Sequence, residues 1–398
     1  MTQLILAEAA LTPEGALGRY WLRLEQGRIL DAGHGHPPQT PDLHLTEGVL
    51  APGFVDVHAH GGGGAAFTDG AAAARQVLAA HRHRGTTTML GSLVSAPLPE
   101  LLEQAEQLRA LVETGDLAGI HLEGPWLSPD HRGAHESSML SDPTPEAVSA
   151  VLDHPAGQLL RYVTLAPELP GALEAAARLR AAGLTVGVGH TGASCAQTRE
   201  AIAAGASAAT HLFNAMKGLH HRDPGAALAL LEEPTSFLEL ISDGVHLDAE
   251  MIRFVWDSAR RNGGPQRPVL VSDAMPGAAA PDGRYRLGAV DVEVLGGVAR
   301  RVTSDGSLGA IAGSTLTLSA AVRESILRAG IEPAQALMAA TANPAAMIGL
   351  ENVGRLLPGG RADLVLLDPE WQVRRVMYRG RWLDQRSSGA SQTDGPAD

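Results

Sequence analysis

Between residues 54 and 272 the chain repeats one unit eight times: a short apolar run, then a segment with apolar residues at helical spacing. The apolar runs are 54–60, 86–93, 119–123, 162–166, 184–189, 208–212, 237–242 and 268–272, and segments 98–112, 172–182 and 251–261 are amphipathic helices. Strands alternating with helices build a parallel sheet, and eight is the number that closes one into a (β/α)8 barrel. An open, doubly wound sheet is the alternative. It is disfavoured because no Gly-x-Gly-x-x-Gly follows the first run.

The two chain ends do not follow this rhythm. Tyr20 to Leu30 reads as a β-hairpin turning at Gln26-Gly27, and 363–368 as a buried strand followed by a second hairpin turning at Arg379-Gly380. Neither end has enough strands to cover its own apolar face. The expected fold is therefore α/β: a TIM-like (β/α)8 barrel over 51–350 with a small discontinuous β-sandwich domain from 1–50 and 351–385. The Ser/Gly/Asp/Pro-rich stretch 386–398 reads as a disordered tail. Residues 284–303 alternate like a hairpin inserted after the eighth strand, and Ser314 and Pro333 open two closing helices.

Composition excludes several functions. The 398 residues carry a formal net charge of −13 with no basic block, which disfavours nucleic acid and anionic membranes as partners. No apolar run is long enough to span a bilayer. Met1 to Ala10 lacks a basic region and is interrupted by Glu8, unlike a signal peptide. Cys195 is the only cysteine, so no disulfide forms within the chain, and a reducing, cytoplasmic location is expected. Lys217 is the only lysine, so chemistry that needs a lysine has one place to find it.

In such a barrel, reactive groups sit at the C-terminal ends of the strands. The first run ends in His58-Ala59-His60, the third in Glu123, the fifth in His190, the sixth in His211 and the eighth in Asp273. Strand alternation puts His58 and His60 on the same side, pointing into the barrel. Four imidazoles and two carboxylates thus converge on one mouth, a suitable ligand set for Zn, Fe or a similar divalent metal.

These residues, with the segments around them, resemble the amidohydrolase superfamily, and within it the deacetylases of N-acetylglucosamine 6-phosphate. The resemblance runs through Pro52-Gly53-Phe54-Val55-Asp56-Val57-His58-Ala59-His60-Gly61, His121-Leu122-Glu123-Gly124-Pro125 and Arg132-Gly133-Ala134-His135. It continues through Gly189-His190-Thr191, Thr210 to Met216, Ser242-Asp243-Gly244-Val245-His246 and Val271 to Met275. The His-x-His element is common to the superfamily; His-Leu-Phe-Asn-Ala-Met and Asp-Gly-Val-His are narrower signals. Many superfamily members bridge two metals with a carboxylated lysine on the fourth strand. Here the only lysine follows the sixth strand, so Glu123 is the carboxylate ligand, which argues against dihydroorotase- or hydantoinase-like chemistry.

The resemblance implies hydrolysis of the N-acetyl group of N-acetylglucosamine 6-phosphate. Glu123, His190 and His211 would hold one metal, and His58 and His60 a second, giving one or two ions per subunit. Asp273 would act as base and then acid, and His135 would stabilise the oxyanion. Ala134, His135, Arg222, His246 and the backbone amides of Asn214 and Ala215 would bind the substrate, an amino-sugar phosphate. Arg222 would reach the phosphate of the other subunit in a homodimer with a shared active site. Two alternatives stay open: deacetylation of another substrate such as N-acetylgalactosamine 6-phosphate, and a non-catalytic metal-binding barrel.

Other residues read as structural. His81 and His83 close a helix, where cations suit the dipole. Gly61 to Gly64 let the loop pass close to the metals, Cys195 packs as a small residue, Lys217 is a solvated charge, and Asp243 and Asp248 cap or turn.

Overall fold

In the computed structural model, which describes residues 2–384, the repeated unit forms eight parallel strands. In chain order these are Phe54–Asp56, Thr86–Val94, Gly119–Glu123, Leu160–Leu165, Thr185–Val188, Ala208–Ala209, Phe237–Leu240 and Pro268–Leu270. Each pairs with its neighbour in sequence order. The ring closes between first and last: Ala59 bridges Ala274 in parallel, and the Asp273 N–H donates to the His58 carbonyl at 2.8 Å. Below that seam the buried Asp56 carboxylate accepts from the Ser272 hydroxyl at 2.6 Å.

Several strands stop short of their apolar runs. The reason is conformational. His190, His211 and Asp273 have φ of +48°, +29° and +46°, in the left-handed region that no strand ladder accommodates. For a side chain with a Cβ such a conformation costs on the order of 1–3 kcal/mol, and it persists only where neighbours enforce it. Three such residues at three strand ends mark where the backbone turns its side chains into the mouth.

The expected helix over 98–112 is two, Leu98–Gln107 and Arg109–Glu113, because Leu108 closes the first with a tighter bond to the Ala105 carbonyl. Helix Ala249–Arg261 starts where Asp248 caps it, its carboxylate accepting from the Glu250 N–H at 2.8 Å. The closing helices number three among the described residues: Leu318–Leu327, Pro333–Ala339 and Ala342–Met347. Ser314 caps none of them. Its hydroxyl donates to the Ser272 carbonyl and so fastens the chain to the eighth strand.

The chain ends build one β unit. Val49–Pro52 pairs with Gln3–Leu11 on one side and Leu364–Leu367 on the other, joining both ends in an eight-stranded hydrogen-bonded sheet. Ile5, Leu22, Leu50, Leu364 and Met377 fill its separate core. The joining strand straddles the boundary expected at 50/51. The tail expected at 386–398 lies outside the described residues.

The inserted hairpin is larger than its alternation implied. Gly283–Leu287, Val290–Leu295, Val298–Val302 and Leu308–Ile311 form a four-stranded antiparallel sheet. The last strand was missed because Leu308-Gly309-Ala310-Ile311 is too short to show alternation. Val292, Val294 and Ala299 pack on Met275, so the sheet is anchored beside Asp273.

Candidate metal centre

At the mouth the strand-end residues meet in two buried triads, Glu123 with His190 and His211, and His58 with His60 and Asp273. Within each triad the ligand atoms lie within 4.8 Å of one another. Glu123 stands between them. One of its oxygens is 3.1 Å from His190 Nε2, 2.9 Å from His211 Nε2 and 3.3 Å from His58 Nε2. The other is 3.1 Å from His60 Nε2 and 3.2 Å from His135 Nε2. Asp273 Oδ1 lies 3.3 Å from His60 Nε2 and 3.5 Å from His58 Nε2.

The far side of each ring explains why Nε2 faces inward. His190 Nδ1–H donates to the His131 carbonyl at 3.0 Å, and His60 Nδ1–H to the Ser92 carbonyl at 3.2 Å. A carbonyl can only accept, so Nδ1 carries the proton and Nε2 offers a lone pair. Lone pairs of imidazole and carboxylate converging at about 3 Å call for a cation between them, and nitrogen with oxygen donors suit a first-row divalent metal. The residues therefore fit the metal that the motif implies.

Electrostatics agree. Burial works against a charged His58, yet the facing Glu123 and Asp273 carboxylates hold it well above the ordinary imidazole value. Burial likewise opposes charge on His60, which bonds to Asp273 and Glu123 raise to about 9. Glu123, despite its burial, is held well below the carboxylate range, chiefly by His58 and His135. Burial dominates at His190 and lowers it. The two carboxylates demand positive charge, most strongly on the His58–His60 side.

Ten of the residues singled out from the sequence line one cavity: His60, Glu123, Ala134, His135, His190, His211, Asn214, Ala215, His246 and Asp273. Leu287, Val290 and Ile311 of the inserted sheet form its apolar wall. His58 lies beneath the cavity floor, fully buried. His135 Nδ1 is 2.9 Å from Ser95 Oγ. His246 is held by the Asp243 carboxylate at 2.7 Å, which raises its pKa although burial opposes this. Asp243 is thus more than the turn residue it resembled.

Arg222, Asn214 and His81 occupy places that the sequence does not announce, and of these only His81 departs from its expected role. Arg222 is exposed and outside the cavity lining of its own chain, its guanidinium against His221. The Asn214 N–H donates to the His211 carbonyl at 3.0 Å, so a ligand would have to share it. His81 is no exposed helix-end cation. Burial pushes its pKa down to about 4, and its neutral ring donates from Nε2 to the Gly61 carbonyl at 2.9 Å. A Cβ on Gly62 would lie 2.5 Å from that same nitrogen, so the glycine is required by close approach to His81. Lys217 is exposed and paired with Asp223, and Cys195 is free and half-buried.

Sequence reasoning missed the barrel interior below the triads. His121 stacks on Tyr162 with centroids 4.1 Å apart and bonds Ser92 Oγ and Thr164 Oγ1 at 2.9 and 2.8 Å. Glu239 is buried beside His58 and His211. Both had a signal: His121 shares the parity of Glu123, and Glu239 is a lone carboxylate inside the apolar run Phe237 to Ile241.

Residues 49–383 match the amidohydrolase family. The chain is 35% identical over 390 residues to an N-acetylgalactosamine-6-phosphate deacetylase of Escherichia coli O157:H7, covering 96% of this chain and 99% of the relative. It is 35% identical over 393 residues to the N-acetylglucosamine-6-phosphate deacetylase of Bos taurus, covering 93% of each. A mutant N-acetyl-D-glucosamine-6-phosphate deacetylase from Mycobacterium smegmatis, solved in complex with N-acetyl-D-glucosamine-6-phosphate, superposes with a TM-score of 0.89 at 41% identity, covering 96% of this chain and 99% of that one. The chain belongs to the amidohydrolase family.

Proposed function

We propose that the protein hydrolyses the N-acetyl group of N-acetylglucosamine 6-phosphate, giving glucosamine 6-phosphate and acetate. The observation that carries this reading is the pair of buried triads, one of which contains Asp273, opening into one cavity beside His135. Glu123, His190 and His211 would hold one divalent cation, and His58, His60 and Asp273 a second. When bound, such a cation supplies Lewis acidity toward a carbonyl and lowers the pKa of water.

The chain's own residues do the rest. Asp273 takes the proton of the attacking water and later returns it to the departing amine. His135 Nδ1 accepts from the Ser95 backbone N–H at 3.4 Å, which leaves Nε2–H as donor to the developing oxyanion. A donor placed this way is worth about 2.7–4 kcal/mol in the transition state. Ala134, Asn214, Ala215 and His246 line the cavity where the sugar would lie, and Leu287 and Val290 give it an apolar wall. Arg222, exposed on its own chain, binds the phosphate of the partner subunit in a homodimer with a shared active site. A reducing cytoplasm suits a chain whose only cysteine is free. Among the described residues no helix is long and apolar enough to cross a membrane.

The Escherichia coli relative favours a second reading, hydrolysis of the galactosamine epimer. Acetate release from both epimers, each with and without the 6-phosphate, tests the proposal. The glucosamine phosphate should have the highest kcat/KM. A preference for the galactosamine phosphate would establish the second reading, and release from neither would refute both.

A further inference from the structure

We propose that Glu239, on the seventh barrel strand, is a positioning residue that sets His58 and His211 together, one ligand from each triad. The inference rests on the reading that the six mouth residues hold divalent cations. Glu239 Oε2 accepts from His58 Nδ1–H at 3.1 Å and from the His211 backbone N–H at 3.0 Å. No other described residue joins the two triads from behind the metal-facing atoms through a single oxygen.

Two consequences follow from that oxygen. At His58, a carboxylate at Nδ1 fixes the tautomer whose Nε2 lone pair faces Glu123 and Asp273, and it makes that nitrogen a better donor. At His211, the bond is to backbone. The residue sits at φ +29°, where a strand would not place it, and its N–H turns from the ladder toward Glu239. The His211 ring has no such support of its own, because its Nδ1 is buried without a partner. Its orientation therefore depends on the backbone conformation that Glu239 holds.

The rest of the strand supports a functional reading. Glu239 is fully buried in an otherwise apolar run, and its Oε1 has no hydrogen-bond partner. Burying a carboxylate with one oxygen unsatisfied is unfavourable. The Glu239 charge is close enough to add to burial in raising the Tyr162 phenol well above its ordinary value. A buried carboxylate that leaves one oxygen unpaired and contacts two metal ligands is placed there for the metals.

The test compares wild type, Glu239→Gln and Glu239→Leu, each stripped of metal and titrated with Co²⁺. The readouts are ions bound per chain, affinity by chelator competition and the visible absorption of the Co²⁺ forms. Thermal midpoints of the stripped proteins control for folding. Glu239→Gln keeps an oxygen that can accept both bonds but loses the negative charge. It should fold like wild type, bind at least one ion roughly 10–100-fold more weakly and show an altered Co²⁺ spectrum. Glu239→Leu, which leaves the His58 Nδ1–H and the His211 N–H without an acceptor, should lose the ion at His58, His60 and Asp273. Wild-type stoichiometry, affinity and spectrum in both variants would overturn the positioning role while leaving the metal reading intact. A wild-type chain that takes up no Co²⁺ would overturn both.

Discussion

The two triads use the same kinds of donor but are built differently. Glu123, His190 and His211 come from three strands in the middle of the parallel sheet, and His190 is steadied by a backbone carbonyl in the loop after the third strand. His58, His60 and Asp273 come from the first and last strands, across the seam that closes the barrel. That seam holds through bonds among the strand-end residues, including Asp56 to Ser272 and Asp273 to His58, whereas the middle strands are paired within the ladder. The imidazoles of the seam triad are raised, since two carboxylates face them, whereas burial lowers His190. The comparison separates a ligand set drawn from the middle of the sheet from one drawn from its closing seam, and the first should be the more robust.

The strongest way to break this contrast is to remove one ligand from each side. His190→Ala should lose bound metal altogether, and with it the means of lowering the pKa of water from 15.7 toward ~7, so activity should fall to background. His58→Ala should lose one ion and keep part of the rate. Elemental analysis beside the acetate assay decides it. Equal losses in the two variants would mean that the triads act as one site.

Asp273→Asn examines the seam triad from the side of chemistry. Asparagine is nearly isosteric and can still offer an oxygen, but it cannot take up a proton and return it. Turnover should fall ~10²–10⁴-fold with KM little changed. A kcat within tenfold of wild type would assign the proton transfer to another residue and leave Asp273 as a ligand only.

What could be read in the sequence divides along similar lines. The strand-helix rhythm and the strand-end histidines were legible because burial on both faces leaves continuous apolar runs, and the fold puts the ends of those runs at the mouth. The positive φ at His190, His211 and Asp273 was not, since nothing in a histidine or aspartate announces a left-handed backbone. His81 was misread because a helix end looks exposed until the Gly61–Gly62 loop is seen packed on it. Glu239 was passed over because its strand scored as apolar. Long-range partners such as Asp56 and Ser272, 216 positions apart, leave no local pattern at all.

A third test concerns the loop after His211, which belongs to neither triad. If Arg222 grips phosphate in the partner's cavity, a charge-assisted contact of ~1.5–3 kcal/mol is at stake. Arg222→Ala should then raise KM for the phosphorylated sugar roughly 10–100-fold and barely alter turnover of N-acetylglucosamine. Mixing Arg222→Ala with Asp273→Asn under subunit exchange should restore activity, since a mixed dimer carries one site with both residues intact. Mixed dimers without activity would place Arg222 in its own subunit's site.

The smallest expected effect concerns how the seam side tolerates acid. His81 holds the Gly61 carbonyl directly after His60, and its folded pKa of about 4 lies below its ordinary value of 6.5. The unfolded chain therefore binds a proton at His81 before the folded chain does. Stability from this group is complete above the unfolded value and is lost as pH falls from about 6.5 to about 4, by roughly 3 kcal/mol in all. His81→Gln keeps an N–H for Gly61 but has nothing to titrate. Its stability near pH 7.5 should be close to wild type, and its decline between pH 6.5 and 4 should be shallower by that amount. Denaturant unfolding of both chains across the pH series measures the difference, in which every shared titrating group cancels. Parallel curves would mean that His81 takes up its proton without leaving its place, and the loop behind His60 would then be as acid-tolerant as the carbonyl behind His190.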